Sequence, residues 1–139
     1  MLADSDIQTI EDLEGKTIGL VAGSHKVDIM KKYIGDNGLD IEIRTYENRE
    51  GPELDVEKGQ IDAYAQDYTI IQASIQLKDK PFRTLDQTFS NDNVVFPFAK
   101  TEEGTAFKEA FDAELENLRE DGTLAEISNK YYGEDVTQG

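Results

Sequence analysis

Apolar residues along this chain recur with two different periods. From Thr17 to Ala22 they run almost without interruption (TIGLVA), as in a strand buried on both faces. From His25 to Ile34 they fall at Val27, Met30 and Ile34, the spacing of one face of a helix. Asn37-Gly38 then marks a turn. Ile41 to Tyr46 alternates, with Ile41, Ile43 and Thr45 on one side, and reads as a second strand. Pro52 suits the first position of a helix, which continues over Glu53 to Lys58 and stops at Gly59. Ile61 to Gln66 is the third strand. Asp67 to Leu77 is the third helix, with Ile70, Ile71, Ser74 and Ile75 on its inner side. Phe82 to Leu85 and Val94 to Ala99 are expected as two further strands. Ahead of all these, Thr9-Ile10-Glu11-Asp12 has the pattern of a capping box, and Gly15 can end the short helix it opens.

Strands separated by helices of this length imply βαβ crossovers, hence an α/β fold with a mainly parallel sheet and helices on both faces. Small ligands meet such a sheet beyond the carboxyl ends of its strands. Gly23-Ser24 and Asp67 follow the first and third strands and are therefore expected at one rim. The last part of the chain is different. Phe107, Ala110, Phe111, Leu115 and Leu118 form an apolar stripe at helical spacing, Asp121-Gly122 interrupts it, and Leu124, Ile127 and Tyr131 form a shorter one. Two amphipathic helices with no strand of their own need an apolar surface to cover them.

Charge narrows the partners. With 30 Asp and Glu against 14 Lys and Arg, the 139-residue chain carries a formal −16. Such a charge repels nucleic acid and anionic membrane surfaces. The absence of Cys removes thiol catalysis, disulfides and thiolate metal sites. A single His cannot build a metal site unaided, and no phosphate loop or Ser-His-Asp order is present. No cofactor is implied, and a binding protein is expected rather than an enzyme. No apolar stretch approaches the roughly 20 residues of a spanning helix. No basic-then-apolar leader opens at Met1, so any export signal is expected outside this chain.

The candidate chemistry lies at the expected rim. Gly23 lets backbone approach a ligand closely, and Ser24 brings an N–H and a hydroxyl to a helix start. That arrangement favours a carboxylate, although capping the helix is the commoner use of such a serine. Asp67 can pair with an ammonium group through a charge-assisted bond or cap the helix that follows it. His25 reads as a rim residue. Tyr64 and Tyr68 can serve as apolar walls or belong to the core. Arg49, near the end of the second strand with Arg44 and Glu47, can line the cleft. Asp62 is read as a local backbone acceptor.

Four stretches carry a family resemblance, in order and with its spacing: TIEDLEGKTIGLVAGS, EKGQIDAYAQD, FPFAKTEEG and ELENLREDGTLAEISNKYYGEDV. Together they resemble the second lobe and C-terminal helices of the bacterial extracellular solute-binding proteins, family 3, that serve amino-acid ABC transporters. The resemblance covers nearly the whole chain. It implies a type II periplasmic-binding-protein-like lobe over residues 1–99, including a hinge strand, and C-terminal helices over 100–139 that pack on a first lobe largely absent here. It implies that Gly23-Ser24 receives a ligand carboxylate, with His25 beside it, and that Asp67 receives the α-ammonium. The implied function is the substrate-binding component of an importer for polar amino acids, cystine-type among them, outside the cell or in the periplasm, with an ABC permease as partner. The alternative is the ligand-binding input domain of a membrane sensor. The missing lobe leads to one more expectation, a homodimer through the helices from Gly104 onward, with their exchange between copies as one route.

Overall fold

The computed structural model describes residues 1–90 and 95–137. The chain divides into two compact units, Met1–Asn91 and Asp92–Gly139.

The first unit holds a three-stranded parallel sheet of order β2-β1-β3, formed by β1 (Thr17–Val21), β2 (Glu42–Tyr46) and β3 (Ala63–Tyr64). Ile18 pairs with Ile43 on one side and with Ala63 on the other, so β1 is central. The connections are α1 (His25–Asn37) and α2 (Glu50–Glu57), and α3 (Tyr68–Lys78) follows β3. Successive residues of a strand face opposite sides, and the core divides accordingly. Ile18, Leu20, Ala63 and Ala65 join Met30 of α1 in one apolar cluster, together with Ile7, Ile10 and Leu13 from the entering segment. Tyr64 points the other way, into a second cluster with Val56 of α2, Ile71 of α3, Ile61 and Phe82. Helices therefore cover both faces, as the alternation of elements implies.

Gly19 explains how closely α2 packs. A Cβ at this position would lie 2.7 Å from Ile61 Cδ1 and 2.8 Å from Pro52 Cβ, so only glycine lets α2 and its neighbouring loop lie against β1. The capping pattern is also realised. The Asp12 carboxylate accepts from the Gln8 and Thr9 N–H groups at 2.8 and 2.9 Å, and Thr9 Oγ1 accepts from the Asp12 N–H at 3.3 Å. The 3₁₀ turn Glu11–Leu13 lies between these partners.

Some elements differ from expectation. Pro52 is the third residue of α2 rather than the first. The first turn tolerates it because its missing N–H would have no intrahelical acceptor there. Phe82 to Leu85 is not a strand. Only Phe82 makes a bridge, antiparallel to Leu2, and the chain reaches it through Asp79 in a left-handed conformation and Pro81. Val94 lies outside the described residues, and residues 95–99 form no strand, with Val95 and Phe96 exposed. A strand requires a neighbour for its backbone groups.

The second unit contains α4 (Glu102–Glu120) and α5 (Thr123–Tyr132), separated at Gly122, whose φ is 82°. Thr101 Oγ1 caps α4 by accepting from the Gly104 N–H at 3.0 Å. Helix α4 has no buried residue. On its apolar stripe Phe107 is 62% exposed and Phe111 half-buried, with the Phe96 and Phe98 rings stacked obliquely on them.

Candidate functional site

The carboxyl ends of all three strands open onto one edge of the sheet. β1 ends at Val21, and the chain turns into α1 through Gly23, whose φ is 72°. Apart from its chain neighbours, no described residue comes within 4 Å of where a Cβ of Gly23 would be. The turn is therefore open, and its glycine is required by the backbone conformation rather than by crowding. Ser24 is the N-cap residue of α1, yet its side chain does not cap. Its hydroxyl donates to the Val21 carbonyl at 2.7 Å, and its N–H donates to the same carbonyl at 3.3 Å. These two bonds to Val21 fix the turn. The turn leads into the first turn of α1, the end of a helix to which an anion is drawn. His25 is exposed at the start of the helix.

β3 ends beside Ala65 and Gln66, and Asp67 is the N-cap residue of α3, again without a side-chain capping bond. Its N–H donates to Gln66 Oε1 at 3.0 Å. Its carboxylate turns across the edge of the sheet, and Lys26 Nζ lies 2.9 Å from Oδ1. The Lys26 side chain is 17% exposed and that of Asp67 is 50% exposed. The turns after β1 and β3 thus meet side by side, an anion-favouring helix start next to a half-exposed carboxylate.

The other candidates lie at different depths. Tyr68, the first residue of α3, is 38% exposed at the same edge. Arg49 is exposed and is the N-cap residue of α2, after the carboxyl end of β2. Tyr64 is buried, its ring 5.5 Å from that of Phe82 in an edge-on contact. Burial first, and then the negative charges of Glu53 and Glu57, push its phenol up. It is a core residue and takes no part in the site proposed below. Asp62 lies at the opposite end of the sheet, where its carboxylate accepts from the Thr17 N–H at 2.8 Å. Arg44 donates to the Gln60 carbonyl at 3.2 Å. Pattern reading did not single out Lys26. A hint was available, because a cation in the first turn opposes the helix dipole and needs a partner from elsewhere.

The chain is similar to known proteins over nearly all of its length. A family profile described as NMT1/THI5 like matches residues 1–96. The probable amino-acid-binding protein YxeM of Bacillus subtilis (strain 168) is 36% identical over 96% of this chain and 50% of its own length. The L-cystine-binding protein TcyK of the same organism is 32% identical over 95% of this chain and 48% of its own length. The chain spans about half the length of these curated relatives. The crystal structure of the probable amino-acid ABC transporter extracellular-binding protein ytmK from Bacillus subtilis superposes with a TM-score of 0.81 at 28% identity, covering 98% of this chain and 59% of that one.

Proposed function

Because this chain belongs to the NMT1/THI5-like family and matches amino-acid-binding proteins over nearly all its length, we propose that it is one lobe of the substrate-binding component of an ABC importer for polar amino acids, cystine among them. The observation that carries this reading is the meeting of the α1 start with the Asp67 carboxylate at one edge of the sheet, within the reach of a single ion pair. An α-amino acid has the matching charges, a carboxylate for the helix start and an ammonium for Asp67. Gly23, Ser24 and His25 form the carboxylate side, and Tyr68 and Arg49 flank the cleft. Nothing in this arrangement calls for a nucleophile or a metal, so the role is binding. The protein works outside the cytoplasm, beside its permease.

A site on one lobe covers one side of a ligand, and pockets usually enclose most of a small molecule. The chain alone is therefore expected to bind free amino acids weakly. In a two-lobed protein carrying this chain, Asp67→Ala is expected to weaken binding by about 3 kcal/mol, the cost of leaving a buried charge unpaired. Calorimetric titration measures this, and near-parental affinity in the variant would remove Asp67 from the site.

The α4 stripe supports a second part of the proposal. Where no other chain covers Phe107, Phe111, Leu115 and Leu118, two copies associate through α4 and α5, by docking or by exchanging these helices.

A further inference from the structure

We propose that Lys26 is a built-in occupant of Asp67, a stand-in for the ligand's ammonium that the ligand must displace, and so a residue that determines affinity and charge preference at this edge. This role rests on the amino-acid-binding reading above. The ion pair is built differently from those within one helix and, like Lys80–Glu57, joins separate elements. Lys32–Asp36, Lys108–Asp112 and Arg119–Glu116 each join neighbours one turn apart on a single exposed helix. Lys26–Asp67 instead joins the turns that follow two different strands. Neither residue satisfies its own helix by this contact. Lys26 sits in the first turn of α1, where the dipole disfavours a cation. Asp67 occupies an N-cap position but leaves the capping bond unmade.

The two ends of the pair are also unequally exposed. The lysine side chain lies largely out of water, where an ammonium needs an anionic partner, whereas half of the aspartate side chain is open to solvent. An approaching ligand therefore meets the carboxylate first, with Oδ1 already taken by Nζ. While Lys26 stays, the carboxylate is neutralised and attracts an incoming ammonium only weakly. Once Lys26 is displaced, Asp67 binds the ligand's ammonium, and the lysine cation is released next to the helix start that receives the ligand's carboxylate. A ligand with a carboxylate but no ammonium gains nothing from Asp67 and has no reason to break the pair.

The test is a titration of the 139-residue chain with L-serine, and with glycerate as its deaminated counterpart, followed by amide and lysine side-chain NMR. Lys26→Met and Lys26→Gln are expected to bind serine about tenfold more tightly than the parent, as a partly buried ion pair no longer has to be broken. Glycerate should not gain. Lys26→Arg should behave like the parent. In the parent, serine should move the Lys26 side-chain signals and glycerate should not. Well-dispersed spectra confirm that each variant is folded. Equal or weaker serine binding in both neutral variants, with Asp67→Asn still harmful, overturns the inference and leaves Asp67 as an ammonium partner. Undiminished binding in Asp67→Asn, or no serine-dependent shift in any protein even at concentrations where weak binding shows, overturns the amino-acid reading and the inference with it.

Discussion

Met1 shows how far a single residue can depart from its sequence context. Its side chain is buried, its carbonyl accepts from the Arg83 N–H at 3.1 Å, and Arg83 also donates to the Ser5 and Ile7 carbonyls. Burial first, and then the Arg83 charge, lowers a free α-amino group at Met1 from 8.0 to about 6. Between these values the unfolded chain binds more protons than the folded one, so stability rises with pH across this window. Lowering the pH from 8 to 6 is therefore expected to cost such a chain about 2 kcal/mol, since each tenfold change in an equilibrium constant is worth about 1.4 kcal/mol. Urea unfolding at both pH values measures the loss, and Nα-acetylation should abolish it. A pH-independent difference between the two forms would contradict the burial. Residue identity pointed to part of the candidate site. Gly23 and Asp67 stood out because a glycine and an acid directly after apolar runs suit strand ends at a rim. What Ser24, Tyr64 and Lys26 do was hidden, because each depends on where a side chain turns. The Ser24 hydroxyl bonds Val21 rather than its helix, Tyr64 faces inward on β3, and Lys26 reaches across to Asp67.

At the scale of elements, Ser128 ties α5 to the tail after it. Ser128 is 2% exposed, its hydroxyl donating to the Glu134 carbonyl at 2.7 Å and accepting from the Val136 N–H at 2.9 Å. Ser128→Ala removes both bonds and strands two backbone groups, which costs about 1–3 kcal/mol. Amide exchange should accelerate over residues 134–137 and in α5, and remain unchanged in β1. Uniform acceleration throughout the chain would mean that the tail is not a separate piece. Element type followed periodicity well where an apolar pattern repeats over several turns or a whole strand, as in β1, α1 and α4. It failed at Phe82 to Leu85 and over 95–99, where apolar composition resembles a strand but, among the described residues, pairing is limited to the single Phe82–Leu2 bridge.

At the scale of the whole molecule, a charge of −16 and a partly exposed α4 stripe act in opposite directions. Burying apolar surface contributes about 25 cal/mol per Å², whereas like charge resists association until salt screens it. Light scattering is expected to show dimers that strengthen as salt is raised, and Phe111→Asp should return the chain to a monomer. A parental chain that stays monomeric at millimolar concentration, or a variant that dimerises equally, would end the dimer proposal. By itself the sequence determined the alternation of strands and helices, the parallel sheet with helices on both faces, and the rim on which Gly23 and Asp67 fall. These follow from local periodicity and from the short connections available to a chain. Only tertiary structure decided which strand is central, that Gly19 admits α2, and that Asp67 is already paired with Lys26. These are contacts between residues far apart along the chain, and local pattern does not encode the direction in which a side chain crosses the space between two turns.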